Sequence, residues 1–499
     1  MELNKNFVGI CGAALIFVTG LAAVRFAAQA AETGSVLRVD STPLDRDLRS
    51  GNSYSPILKK VAPSVVNIYS TKIIRQRVYI DPFFRQFFGG PASEERTSRE
   101  NALGSGVIVS PTGYILTASH VVEDADEIKV GIGNDSTEYS AKVVGTDPPT
   151  DVAILKIEAK NLPAVTLGDS DQLEVGDVVL AVGNPLGVGQ TVTRGIISAL
   201  GRTVADPSER LYQDFIQTDA AINRGNSGGA LVDAEGRLIG INDAIVPPND
   251  GSTAITGIGF AIPINMARNV MEGILNGGRV VRGYLGVDSQ DIDAGLVKGF
   301  GIPNANGALV TFVAPNSPAA NGGVLSGDVI TAINDKEITG EDNLRVVVSE
   351  LRPGATVNVK VYRKGTPKTL AVVLGQRSEA AQESVKPGDN HVRPNKADAL
   401  EGVAVQDLDA QLRHDLRAPD SVAGALVMEV DRSSNSYDAG LRNYDVIMEI
   451  NHQPVANADD AVRLCKAART EVIVVKLWHP DRSGGRIRFL SVDNTKRAQ

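Results

Sequence analysis

The sequence predicts a mainly β protein, a long strand-rich block followed by two copies of one small module. Three observations carry this. From Val61 to about Pro263, short β-branched runs such as "SVVNIYS", "DVAILKI", "DVVLAVGN" and "GIGFAIP" alternate with glycine turns, the pattern of an all-β barrel or sandwich. Downstream, "GGVLSGDVITAINDKEI" from Gly322 and "AGLRNYDVIMEINHQPV" from Ala439 share the frame G-V/L-x-x-x-D-V-I-x-x-I-N, with Asp328 answering Asp445 and Asn334 answering Asn451. Finally, 499 residues are too many for one core at about 100 to 200 residues per domain.

The elements follow in chain order. Residues 1–30 read as a signal peptide. Lys5 precedes the apolar run "FVGICGAALIFVTGLAAV", and Ala28 and Ala30 supply small residues at the spacing a signal peptidase accepts, so cleavage near Ala30 or Ala31 is expected. An uncleaved anchor is the competing reading, because the run is near the roughly 18-residue minimum for spanning a bilayer. Membrane association is expected only in that case. Cys11 lies in the leader and Cys465 far downstream, which leaves the exported chain no cysteine pair to bridge.

A polar stretch covers residues 31–55, and the strand-rich block follows. Near its start, "YIDPFFRQFFGG" holds Phe83, Phe84, Phe87 and Phe88, more rings than a loop's own few residues can bury, so they should pack on something else. An amphipathic hairpin lying on its own barrel is the simpler reading. "PINMARNVMEGILNGG" predicts a closing helix with Met266, Val270 and Ile274 on one face and glycines as a stop. Between the two repeats, "QRSEAAQESVKPGDNHVRPNKAD" is nearly devoid of apolar residues and reads as a flexible linker. The net charge of −9, with no lysine or arginine run, argues against a nucleic-acid partner.

The chemistry is sought around "TDAAINRGNSGGALV", where Gly225, Gly228 and Gly229 crowd Ser227. A tight turn explains the glycines in the simplest way. The sharper reading is an exposed serine with backbone N–H groups aimed at one place, which needs a base nearby. Of the five histidines, His391, His414, His452 and His479 sit in polar or linker-like contexts, whereas "GYILTASHVV" puts His120 directly after an apolar strand. In "GTDPPTDVAILKI", Asp147 precedes two prolines and suits a turn cap, while Asp151 opens an apolar strand. A carboxylate held there can accept the Nδ1–H of a histidine and fix its tautomer. Serine is a poor nucleophile until an imidazole takes its proton, and the N–H groups of Gly225 and Ser227 are the natural donors for the oxyanion. No His/Cys cluster has metal-ligand spacing, so neither metal nor other cofactor is expected.

"TASHVV", "TDVAIL" and "NRGNSGGALV", followed by "GIGFAIP" and the two repeats, closely resemble the HtrA (Do-like, Deg) serine endopeptidases. The resemblance covers nearly everything after about Ser53. It implies a chymotrypsin-like double β-barrel protease domain over residues 56–280, a PDZ domain over 283–376, a linker over 377–399 and a second PDZ domain over 400–495. It also implies the triad His120, Asp151 and Ser227, with Gly225, Asn226 and Ser227 in the oxyanion loop. Ile222 and Ile245 fall where the family walls a small apolar specificity pocket; by themselves both read as ordinary barrel core. The phenylalanine segment resembles the family's regulatory loop, which contacts a neighbouring subunit.

Tyr284, Leu285, Gly286 and Val287 in "RGYLGV" resemble the PDZ loop that holds a peptide's C-terminal carboxylate. The second copy departs from it: "LEGVAV" puts Glu401 where Leu285 stands, and Tyr444 replaces Gly327, which puts peptide binding there in doubt. The function implied is an exported, periplasmic, ATP-independent endopeptidase that degrades unfolded or damaged proteins in envelope quality control. It would cleave after small aliphatic residues, capture peptides with free C-termini and assemble as a homotrimer or larger trimer-based oligomer. The alternative from a different class is a chaperone or PDZ scaffold whose protease block is silent at rest.

Overall fold

The computed structural model describes residues 37–42, 53–79, 93–133, 137–184, 189–204, 212–223, 225–243, 257–376, 397–398, 400–481 and 484–495. The leader, the four phenylalanines at 83, 84, 87 and 88, Ile245 and nearly all of the linker lie outside these residues. Among the described residues no helix is long and apolar enough to cross a membrane. The chain divides into two compact units, the first running to Met271 and the second essentially from Glu272 onward.

The first unit holds two closed barrels of six strands each. In the first barrel, β1 (Val65–Tyr79), β2 (Ser93–Ile108), β3 (Tyr114–Ala118), β4 (Glu127–Gly131), β5 (Glu138–Asp147) and β6 (Val152–Ile157) close in the order β1-β2-β3-β6-β5-β4. The second comprises β7 (Val178–Gly183), β8 (Thr191–Arg202), β9 (Phe215–Thr218), β10 (Ala230–Asp233), β11 (Leu238–Asp243) and β12 (Gly259–Pro263), in the order β10-β11-β12-β9-β8-β7. Each sheet closes on itself, while the far ends of β1 and β2, Lys72–Tyr79 and Ser93–Glu100, form a hairpin whose described ladder pairs these two strands with each other. Ile68, Ile108, Ile115, Leu155 and Ile157 fill the first barrel, and Leu231, Ile197, Ile216 and Ile239 the second. β-Branched side chains dominate because they pack well on a pleated wall. The helix expected after β12 is Ile264–Gly277; it buries Met266, Val270 and Ile274 as read, and also Ala267 and Met271.

The second unit repeats one design. In the first module the strands Val287–Gln290, Ala308–Val313, Val329–Ile333, Thr356–Arg363 and Thr366–Val373 pair in chain order, with the helix Glu341–Glu350. The second module matches it with Val403–Asp407, Ala425–Val430, Val446–Ile450, Val472–His479 and Arg486–Asp493, and the helix Ala458–Ala467. Ala397–Asp398, at the end of the stretch predicted as linker, pairs with Val403–Asp407.

The shared sequence frame has a structural cause. Asn334 and Asn451 both take positive φ, +53° and +47°, at the turn of a short hairpin. Each side chain accepts a backbone N–H from the next strand, from Asn358 and Val474 respectively, at 2.9 Å. Asparagine tolerates that conformation and closes the turn with its amide. Asp328 and Asp445 both accept the N–H three residues back, from Leu325 and Arg442, at 2.9 and 2.8 Å.

The two buried aspartates differ in their counter-ions. Arg363 grips Asp328 with two nitrogens at 2.7 Å, and that hydrogen-bonded pairing raises the guanidinium's proton affinity further. At the corresponding strand end the second module has His479, whose Nδ1 lies 2.6 Å from Asp445 Oδ1, with Arg488 farther off at 3.8 Å. Burial pushes the Asp445 carboxyl above its ordinary value despite the His479 bond. Removing one partner of a buried pair strands the other charge, so Arg363→Ala is expected to destabilise the first module by about 3 to 5 kcal/mol. Hydrogen exchange of the Val329–Ile333 amides in the full chain checks this, with lost protection expected there before the barrels.

Candidate active site

The β3–β6 ladder brings the first two functional groups together. Its register ends on Ala118 opposite Val152, which sets the residues just beyond, Ser119 and His120, beside Asp151. Ser119 N–H donates to Asp151 O at 2.9 Å. Asp151 ends the single turn Pro148–Thr150 with φ +56°, a left-handed conformation that aspartate adopts more readily than most residues. That bend turns its carboxylate back onto His120. Oδ1 accepts the His120 backbone N–H at 2.8 Å, and Oδ2 lies 2.7 Å from His120 Nδ1.

A carboxylate oxygen at that distance suits the tautomer in which Nδ1 carries the ring proton. The two partners differ in exposure: the Asp151 side chain is 4 % exposed and that of His120 is 35 %. The acid is thus shielded from water while the imidazole is partly open to solvent. Asp147 is buried at the start of the turn Pro148–Thr150 and its carboxylate accepts from Thr150 Oγ1, but its side chain makes no cap bond to the turn's backbone, unlike the cap expected of it.

Ser227 lies in the turn after residue 224 and before β10, and it is buried to 6 % exposure. The turn is tied to both barrels. Gly228 N–H donates to Asn242 O at 2.8 Å on β11, and Asn226 N–H donates to Asn223 O at 3.0 Å inside the turn. From the first barrel, Ser105 N–H donates to Ser227 O at 2.9 Å and Ser105 Oγ to Gly225 O at 2.7 Å. Gly228 has φ +81°, and a Cβ there would come within 2.2 Å of both Ser105 O and Thr117 Oγ1. Close packing of the serine turn onto β2 and β3 therefore requires this glycine, a reason distinct from clearing a substrate's path.

Ile222 is half-buried and packs against the second barrel's core. Ile245, its expected companion, lies outside the described residues, as do Phe83, Phe84, Phe87 and Phe88. Two residues near the site were not singled out from the sequence. Ser105, fully buried, sits between Gly104 and Gly106 at the start of an apolar run, a small polar residue where a strand core is expected. Asp243, also fully buried, ends the apolar run "LIGIND", and its carboxylate lies within 4.8 Å of ligand-type atoms of His120 and Asp151. Spacing along the chain gives no hint of that cluster, since its members come from separate elements.

Comparison with known proteins decides the family. A trypsin-like peptidase domain matches residues 104–241 and a PDZ domain matches residues 283–374. The chain is 37 % identical over 498 residues to the periplasmic serine endoprotease DegP of Salmonella typhimurium, covering 94 % of this chain and 97 % of the relative. It is 38 % identical over 429 residues to the periplasmic pH-dependent serine endoprotease DegQ of Escherichia coli, covering 85 % and 89 %. The chain belongs to the HtrA/DegP family of serine endoproteases.

Among solved structures, the HtrA-type protease AlgW with a tripeptide is 45 % identical and superposes with a TM-score of 0.51, over 65 % of this chain and 98 % of that one. This HtrA-type enzyme is therefore a serine endopeptidase with chymotrypsin-like barrels, a PDZ domain and a second, PDZ-like module.

In the first PDZ module the Tyr284–Val287 loop has a definite orientation. The carbonyls of Leu285 and Gly286 accept N–H groups from Ala319 and Ala314, at 2.8 and 3.0 Å. Across a planar trans peptide the N–H points opposite to the C=O, so the N–H groups of Gly286 and Val287 face away from those bonds. Gly286 has φ +84°, and a Cβ would come within 2.3 Å of Ser317. In the second module Gly402 has φ +70°, but Glu401 is exposed where Leu285 is buried, and Tyr444 takes φ +73° where Gly327 stands.

Proposed function

We propose that this protease cleaves unfolded or damaged proteins in the periplasm by a Ser227–His120–Asp151 acyl-enzyme mechanism, with no metal or nucleotide. The observation that carries the reading is the double grip of Asp151 on His120, through the backbone N–H and Nδ1 together. In this mechanism Nε2 takes the Ser227 proton as Oγ attacks the scissile carbonyl carbon, and later returns it to the leaving amine. Asp151 stabilises the imidazolium, and the N–H groups of Gly225 and Ser227 receive the oxyanion. The names of the relatives, periplasmic endoproteases, support the location, with residues 1–30 as the export signal. Ile222, with Ile245, would wall a pocket for small aliphatic side chains, Asn226 would complete the oxyanion loop, and the phenylalanine segment would contact a neighbour in a trimer-based oligomer. The domain limits that accompany this reading are 56–280, 283–376 and 400–495.

A fluorophosphonate probe labelling Ser227, together with mass spectrometry of casein fragments, tests this reading. Labelling at Ser227 and cuts after valine or alanine are expected; labelling elsewhere, or cuts mostly after lysine, arginine or phenylalanine, would refute it. Cleavage is expected to continue unchanged in EDTA, even though His120, Asp151 and Asp243 are ligand types gathered in one place. Activity abolished by EDTA and restored by zinc would remove the serine mechanism.

The outward N–H groups of Gly286 and Val287 suit a peptide's terminal carboxylate, with the peptide added as a strand. Gly286→Val in the full chain is expected to weaken binding of an apolar C-terminal peptide by at least about tenfold, because a β-branched residue is strained at positive φ. Cleavage of a short unanchored peptide should stay within about twofold of wild type, as uniform catalytic machinery predicts. Isothermal titration with free and amidated peptides reads this directly, and equal binding of the two would overturn the assignment.

A further inference from the structure

We propose that Ser105 is a positioning residue that latches the oxyanion turn, its hydroxyl on the first barrel holding the Gly225 carbonyl that the second barrel presents. The inference rests on the catalytic reading of that turn. Ser105 is fully buried, so water does not compete for its hydroxyl. The Gly225 carbonyl can only accept, so the single Ser105 O–H donates to it at 2.7 Å, while Asn184 N–H donates to Ser105 Oγ at 2.9 Å. The direction of the hydroxyl is thereby determined. The Ser105 backbone N–H, donating to Ser227 O at 2.9 Å, secures the other end of the same short stretch. One residue therefore grips both the first and the third residue of Gly225–Asn226–Ser227.

The grip matters because Gly225 has φ +97°, and a glycine visits many backbone conformations at similar cost. With its carbonyl released, the adjoining peptide planes could rotate and turn the N–H groups away from a substrate's oxyanion. Preorganised donors stabilise a transition state only while they are held in place. The latch is also joined to the base: Thr117 Oγ1 donates to Ser105 O at 2.7 Å, and Thr117 lies on β3 three residues before His120. Ser105 thus ties the oxyanion turn to the strand that delivers the imidazole.

The test is Ser105→Ala in the full chain, read as kcat and KM on a peptide substrate and as affinity for a peptide aldehyde and for its product peptide. The aldehyde forms a tetrahedral adduct that uses the oxyanion donors, whereas the product does not depend on them to the same degree. Expected are a fall in kcat of about 10²-fold, KM and product affinity within about twofold, and aldehyde affinity down by a factor close to that in kcat. Unchanged kcat and aldehyde affinity would overturn the latch, as would a lowered melting temperature with kcat, KM and both affinities worsened alike. If the alanine variant does not fold, Ser105→Cys keeps a side chain with a weaker donor and is expected to show the same split in smaller degree; its absence in a folded cysteine variant would likewise overturn the proposal. Ser227→Ala run alongside separates the two failures, since retained activity there condemns the catalytic reading whatever Ser105 does.

Discussion

Ser227→Ala protein is expected to lose about 10⁶-fold in kcat on casein while keeping its fold, as single losses from serine triads do. The loss is large because no other group in the turn can form the acyl bond, and the base and oxyanion donors then have no nucleophile to assist. The fold should survive because the turn is held by main-chain bonds that alanine retains. Ser105 N–H still reaches the residue 227 carbonyl, Ser105 Oγ still reaches Gly225 O, and Gly228 N–H still reaches Asn242 O. Casein turnover, measured beside near-UV circular dichroism, checks both halves. A pure variant that still cleaved casein at the wild-type rate would end the assignment, and an unfolded one would contradict the account of the turn.

Asp151→Asn should cost about 10⁴-fold in kcat with little change in structure, for a reason the local geometry makes specific. Asp151 receives two donors from His120, the backbone N–H and the ring Nδ1–H. An asparagine has only one acceptor oxygen. The backbone N–H cannot become an acceptor, so it claims that oxygen and leaves the amide NH₂ facing Nδ1. Nδ1 is then forced to accept, the ring proton moves to Nε2, and the base loses the lone pair it needs for Ser227. Burial makes the alternative, an NH₂ group pressed against a backbone N–H, more costly still. The check is kcat at neutral pH together with NMR of the His120 tautomer, where Nε2–H is expected. Activity near wild type with Nδ1–H retained would show that the carboxylate does not set the tautomer.

Much of the architecture was readable from pattern. β-Branched runs between glycine turns predicted the strands because a strand's partners on a pleated surface are chosen by side-chain shape, which is a local property. The repeated Asp and Asn of the two modules were visible as letters, and their roles as turn cap and hairpin closer follow from short-range hydrogen bonds. The second module's departures at Glu401 and Tyr444 were also visible before any coordinates. The helix after β12 was less fully read: Met266, Val270 and Ile274 marked one edge of its apolar face, and packing buried Ala267 and Met271 as well.

The sequence by itself determined which residue types were on offer for catalysis: a serine in a glycine turn, a histidine after an apolar strand and an aspartate opening another. Each of these is a local signal, produced by conformational preferences that act over a few residues. Only the tertiary structure decided how the histidine and the aspartate meet. His120 faces Asp151 because the β3–β6 ladder ends on Ala118 and Val152, and a slip of one residue would turn every side chain of that strand to the opposite face. The local pattern around Ser105 and Asp243 could not assign them to the site, because their surroundings are assembled from segments that lie far apart in the chain. A buried hydroxyl is given its direction by an acceptor 120 residues away, and its oxygen accepts from a donor 79 residues away. Contacts over such separations depend on strand register and barrel closure, and composition and spacing record neither.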